Sequence, residues 1–218
     1  MSNFQLKLVA IITMLIDHIG MILFPQIFIF RIIGRISFPI FCFLITEGYI
    51  HTSNFKRYLI RLGLFAIISQ IPFNLALTAR PFYFYSLNVF FTLFFGAVCI
   101  WLIDKQRPFI AIPCIIAIML LVTWLKTDYS YFGIMLMLAY YLARNNKILR
   151  ASSGSILCIG KGILQGAPYY LEAWGAISAL PILLYNGKKG KYSFKYFFYI
   201  FYPAHLLILH FIRAYWFL

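Results

Sequence analysis

The chain has 218 residues, 63% of them hydrophobic and only 11% charged, where a water-soluble domain carries about 25% charged residues. That excludes an ordinary soluble globule and makes lipid the solvent for much of the surface. The net charge of +14 would suggest nucleic acid, but the basic residues stand in short gaps between apolar runs. That is the pattern of positive-inside loops, so membrane lipid is an expected partner and nucleic acid is not.

Apolar stretches long enough to lie in hydrocarbon as helix recur along the whole chain. In chain order they fall at roughly 4–24, 30–50, 56–78, 86–103, 109–125, 130–144, 151–165, 171–186 and 194–216. The expected fold is all-α, a polytopic transmembrane helical bundle of about nine segments, with eight to ten compatible, in one domain over 1–218. The first stretch, Phe4 to Phe24, is too long for the apolar core of a signal peptide and lacks a small-residue cleavage site, so it is read as spanning. Ser53 or Asn54 suits the N-cap of the third helix. The seventh stretch is short and interrupted by Ser, Gly and Lys161, and reads as either a crossing or a re-entrant half-helix. Cys42, Cys99, Cys114 and Cys158 lie singly in apolar runs, the pattern of buried thiols rather than of a disulfide or metal site.

Charge placement checks the count. With a cytoplasmic N-terminus and nine crossings, the cytoplasmic gaps hold Lys56, Arg57 and Arg61; Lys105 and Arg107; Arg144, Lys147 and Arg150; and Lys188, Lys189, Lys191 and Lys195. The other side holds only Arg80, Lys126, Lys161 and Arg213 with the pair Arg31 and Arg35. Eight crossings would put the four-lysine loop outside, so nine is preferred.

A charge at a helix centre costs about 2.5–3.5 kcal/mol on insertion scales, so the few polar residues inside these segments single themselves out. Asp17 and His18 fall within the first helix, His18 ~9 Å from its end at Phe24. Arg31 and Arg35 open the second helix, four residues apart and on one face. Running antiparallel across a short turn, all four reach a similar depth near the outer side. At the other end of the hairpin, Glu47 and His51 share a face, as do Arg57 and Arg61, and Glu47 is placed to pair with Arg61. In the last helix Pro203 removes a backbone hydrogen bond near mid-membrane and bends the helix, directing His205 at a cavity. Each feature has a plainer explanation: a hydrogen-bonded packing histidine, a neutralised structural pair, lysines that set topology. Four costly groups at one depth exceed what bracing requires.

Several of these stretches together resemble the TraX family. They are Met14-Leu15-Ile16-Asp17-His18-Ile19-Gly20, then Arg31-Ile32-Ile33-Gly34-Arg35-Ile36-Ser37-Phe38-Pro39-Ile40-Phe41, then Glu47-Gly48-Tyr49-Ile50-His51-Thr52. Tyr58-Leu59-Ile60-Arg61-Leu62, Ser69-Gln70-Ile71-Pro72-Phe73-Asn74-Leu75 and Phe198-Tyr199-Ile200-Phe201-Tyr202-Pro203-Ala204-His205-Leu206 follow in the same order. Asn74 stands where the family often has Asp and is assigned no acid role.

The resemblance implies a multi-pass protein of the bacterial cytoplasmic membrane that moves an acetyl group from acetyl-CoA to an acceptor. The family's namesake N-acetylates a pilin subunit, and related transmembrane acyltransferases use a membrane-embedded His. Acetyl transfer needs a base or nucleophile, stabilisation of the carbonyl oxygen and a grip on the CoA phosphates. His18 is the expected base or transiently acetylated nucleophile, with His205 as orienting partner or second acid–base group. Asp17 points about 100° from its neighbour His18 and is expected to pair with Arg31 or Arg35, leaving the other Arg, with Glu47, for substrate. Lys56, Arg57 and Arg61 are expected to hold the CoA phosphates. A pilin-like peptide, a sugar or another small molecule would be the acceptor. A transporter or flippase and a non-catalytic structural partner remain as alternative classes.

Overall fold

The computed structural model describes residues 1–83, 85–166, 170–190 and 195–216. Lys191 and residue 194, the expected start of the last segment, lie outside them. The described residues are helical, with no strand beyond an isolated bridge between Leu87 and Thr127. In order they form α1 (Asn3–Ile22), α2 (Phe28–Gly34), α3 (Ser37–His51), α4 (Phe55–Thr78), α5 (Val89–Lys105), α6 (Pro108–Trp124), α7 (Ser130–Leu142) and α8 (Lys147–Gln165). A 3-10 segment (Leu171–Ser178), α9 (Ala179–Leu183) and α10 (Lys195–Trp216) complete the chain. The protein is an all-helical membrane protein. Among the described residues four helical stretches are long and apolar enough to cross a bilayer: α1, α2–α3 taken together as Phe28–His51, α4, and Phe197–Trp216 of α10.

Local sequence explains where helices start. Ser2 and Gln5 form a capping box on α1, and Asn54, Asn88 and Asn146 each accept from the first-turn amides of the helix that follows, satisfying donors that lipid cannot. Of the two N-cap candidates before α4, Asn54 fills the role.

The gaps assigned to the cytoplasmic side by charge meet at one end of the bundle. There Asn3 N–H donates to the Lys188 carbonyl at 2.8 Å, Tyr49 and Tyr141 both donate to Asp104, and Glu47 meets Arg150 at 3.7 Å. At the opposite end Arg35 reaches Glu172 at 2.8 Å and Asp128 N–H donates to Leu87 at 2.8 Å. Segments alternate between a basic end and a less basic one, as positive-inside sorting requires.

The structure resolves the seventh stretch, corrects the second segment and Cys114, and shows the last helix as continuous. The seventh stretch is one continuous helix, α8, starting at Lys147. Its small residues Ala151, Gly154, Cys158 and Gly162 are buried, close packing that bundles within lipid favour, while Ile156, Ile159 and Ile163 face outward. The second segment is interrupted at Arg35 between α2 and α3. α10 continues through Pro203 as one helix. Cys114 is exposed on α6, a peripheral helix whose Phe109, Ile112, Ile116 and Leu120 also face outward.

The α1–α2 contact decides what can be built beside it. A Cβ on Gly34 would stand 2.1 Å from Asp17 Oδ1 and 2.2 Å from Asp17 Cβ. Only glycine lets α2 approach closely enough for both arginines of this segment to reach that carboxylate. Gly34→Ala is expected to destabilise the protein by about 1–3 kcal/mol through overpacking, read as a lowered thermal midpoint in detergent, and to cost more than Gly160→Ala, where a Cβ meets nothing within 4 Å.

Candidate functional site

Two faces of α1 diverge at the Asp17–His18 step. Asp17 turns toward α2 and α3, and His18 toward α10.

On the first side Asp17 gathers both guanidiniums. Arg31 Nη1 donates to Oδ2 at 2.8 Å, and Arg35 Nη2 donates to both oxygens at 2.9 Å. Arg35 Nη1 then donates to Glu172 Oε1 at 2.8 Å, tying in the 3-10 segment. Arg35 is 7% exposed and lies 5.6 Å from the Tyr129 ring centroid, so both of its terminal nitrogens serve the brace. Arg31, 22% exposed at its side chain, is the arginine with a surface left for a ligand. Deleting one partner of so buried a pair costs about 3–5 kcal/mol.

On the second side, His18 Nδ1 and His205 Nε2 are 2.6 Å apart, and His205 Nδ1 is 2.7 Å from the Phe201 carbonyl. A carbonyl only accepts, so His205 Nδ1 carries the proton that it donates to Phe201. In a neutral ring His205 Nε2 then holds a lone pair and accepts from His18 Nδ1–H. The chain of bonds leaves His18 Nε2 unprotonated, the state a base or nucleophile needs. His205 is 4% exposed and lines neither cavity; contrary to the sequence expectation, it backs His18 rather than facing the cavity itself.

His18 opens on a cavity of about 380 Å³ shared with Asp17, Arg31, Arg35, Lys126, Asp128 and Tyr129. The turn that supplies the last three is held by backbone bonds to Leu87 on either side of Thr127, and Lys126, Tyr129 and Ser130 adopt left-handed φ of 50°, 60° and 46°. Non-glycine residues sustain such angles only where the surroundings impose them. Tyr129 stacks on Phe38 with centroids 3.5 Å apart.

A second cavity of about 400 Å³ lies toward the basic end, with Lys7, His51, Arg61 and Lys189 among its lining and Glu47 on its wall. The expected Glu47–Arg61 pair does not form: Glu47 meets Arg150 at 3.7 Å and His51 at 4.0 Å, while Arg61 lies 5.8 Å from the Tyr58 ring centroid. Of the three residues assigned to phosphate, Arg61 lines the cavity, whereas Lys56 and Arg57 are exposed at the start of α4 and do not. Asn74 accepts from Gln70 at 2.8 Å and donates to the Pro81 carbonyl at 2.9 Å, a double role that a carboxylate could not fill.

Sequence reasoning overlooked Glu172 and Asp128. The signal was available, because the chain has only five acidic residues, and with Asp17 these two make three around one cluster.

The TraX protein family model matches residues 2–213. The chain belongs to the TraX family. It is also 31% identical, over 95% of its length and 94% of the other chain, to a protein of Dichelobacter nodosus named as a probable fimbrial assembly protein, FimC of serogroup H1. An uncharacterized protein of Rickettsia prowazekii, RP591, is 31% identical over 67% of this chain and 58% of its own. No solved structure matches. The TraX-like stretches, scattered through the sequence, converge in space. Met14–Gly20 and Arg31–Phe41 contribute to the charged cavity, Glu47–Thr52 and Tyr58–Leu62 to the basic one, and Tyr202 to both.

Asp128 sits in the turn between α6 and α7, and burial lifts its carboxyl to about 6, with Arg35 opposing and Glu172 and Asp17 adding to the rise. A carboxyl with a raised folded value binds its proton more tightly folded than unfolded, so stability falls as pH rises from about 4 to 6 and the loss is complete above. Asp128→Asn removes that slope. The variant's thermal midpoint in detergent is expected to gain on wild type across that window and to hold the gain up to pH 7.5.

Proposed function

We propose that the protein is an acetyltransferase of the bacterial cytoplasmic membrane that takes acetyl from acetyl-CoA at its basic, cytoplasmic end and passes it to an acceptor in the charged cavity. The observation that carries this reading is the bonded series Phe201 carbonyl, His205, His18, which leaves a lone pair on an imidazole that opens on a cavity. Membership of the TraX family supports it.

His18 Nε2 serves as base or as nucleophile through the same lone pair. As base it takes the proton of the acceptor amine or hydroxyl while the acceptor attacks the thioester carbonyl. The C–S bond breaks, and the CoA thiolate leaves with the proton returned by the imidazolium. As nucleophile it attacks the carbonyl itself, releases CoA, and yields the acetyl group to the acceptor in a second step. In both routes positive charge on His18 is shared through Nδ1–H with the neutral His205. Arg31 stands at the cavity where a carbonyl oxygen would gain charge. Arg61, Lys7 and Lys189, which line the basic cavity, would hold the CoA phosphates, with Lys56 and Arg57 as exposed charges on the same end. The relative named for fimbrial assembly supports a pilin-like peptide amine as acceptor.

Two cavities set back to back also suit a transporter or flippase, which would move its substrate without consuming acetyl-CoA. Membranes supplied with labelled acetyl-CoA separate the two. Transfer is expected to release CoA and to add 42 Da to the acceptor, and His18→Ala is expected to lower it by about 10²–10⁴-fold. His205→Ala is expected to lower it less, since that substitution removes the orienting partner and not the reacting group. Full transfer by His18→Ala would overturn the assignment.

A further inference from the structure

The two cavities have four lining residues in common: Met14, Phe41, Val89 and Tyr202. They come from α1, α3, α5 and α10, so four helices meet in the wall between the cavities. Met14 precedes His18 by one turn of α1, which sets the wall ~6 Å on the basic side of the imidazole along the helix axis. Tyr202 precedes His205 by three residues, and its ring stands edge-on to both imidazoles, 6.2 Å from His18 and 5.7 Å from His205. Phe90 packs edge-on against it at 5.2 Å.

The members differ in stiffness. Tyr202, 3% exposed, is pinned between Phe90 and the histidines. Val89 is β-branched and follows Asn88, whose backbone N–H and side chain both bond Gln70 Oε1. Met14 has three rotatable bonds and is the wall's adaptable part.

Chemistry differs across the wall. On the basic side the lining is apolar below its charged mouth, with Leu44, Ile45, Leu62 and Leu93. On the other side stand Asp17, Arg31, Arg35 and Asp128. A thioester carbonyl arriving from the basic end must pass the wall to meet His18. The carbon beyond the carbonyl then lies among charges. A methyl displaces little there, whereas each further methylene must fit beside the stiff aromatic and take solvation from charged groups.

We propose that Met14, Phe41, Val89 and Tyr202 are the specificity wall for the acyl donor, admitting a two-carbon acyl group to His18 and excluding longer ones and bulk water. This rests on the acetyl-transfer reading above.

The test uses membranes holding the full chain, acetyl-CoA and butyryl-CoA as donors, and a synthetic peptide with a free α-amino group as acceptor. CoA thiol release is measured with and without the peptide. Met14→Ala and Val89→Ala are expected to raise the butyryl-to-acetyl rate ratio by at least about tenfold, the lower end of what a pocket discriminates per methylene, butyryl carrying two more than acetyl, and to raise acetyl-CoA hydrolysis without peptide. Val89→Trp is expected to abolish release from both donors while CoA itself still binds in calorimetry, which shows a folded protein. A ratio unchanged in both alanine variants, or full acetyl transfer by Val89→Trp, overturns the wall and leaves the enzyme standing. Wild-type release no faster than that of His18→Ala from either donor overturns the acetyl-transfer reading itself.

Discussion

Lipid offers a carboxylate no water, and Asp17, at 8% exposure, is held instead by two guanidiniums. Through Arg35 the same cluster reaches Glu172, so a single set of charges joins α1, the α2–α3 junction and the 3-10 segment near the C-terminal third of the chain. The close approach at Gly34 makes this geometrically possible. Two arginines against two carboxylates leave the brace electrically balanced, which is what keeps so many ionised groups tolerable at low dielectric. The interruption of the second segment at Arg35 has a local cause, since Pro39, four residues on, has no N–H to bond the Arg35 carbonyl.

That balance frees the other face of α1 for chemistry. With Asp17 consumed by arginines, His18 takes its orientation from His205, and His205 from a main-chain carbonyl. A neutral partner of this kind fixes the tautomer without adding a charge, as the groups bonded to the far nitrogen of metal-ligating histidines do. The charged cavity and the basic cavity share Met14, Phe41, Val89 and Tyr202 in their lining, so two chemically different compartments adjoin within one bundle.

Legibility differed residue by residue. Asp17, His18, Arg31 and Arg35 were readable because charge is costly in an apolar helix and because the hairpin turn sets their common depth. Glu172 and Asp128 stood out as two of only five acids, but their place beside Asp17 was not readable, because their cluster partners lie far off in sequence and no periodicity links them. Glu47 was given the wrong partner for a related reason. Arg61 is nearer along the chain, but α8 brings Arg150 to Glu47. Lys56 and Arg57 were readable as charges of the basic end, yet only the rotation of α4 decides that Arg61 alone of the three lines a cavity.

Hydrophobic run length and the placement of lysines and arginines determined by themselves that this is an all-helical membrane protein and which ends share a side, because both signals are local and act against lipid one segment at a time. The two arginines shared by Asp17, the His18–His205 couple and the wall between the cavities were decided only by the tertiary structure. Each needs a particular rotation of helices packed against one another, and packing among mutually apolar surfaces leaves no periodic trace that a single sequence can display.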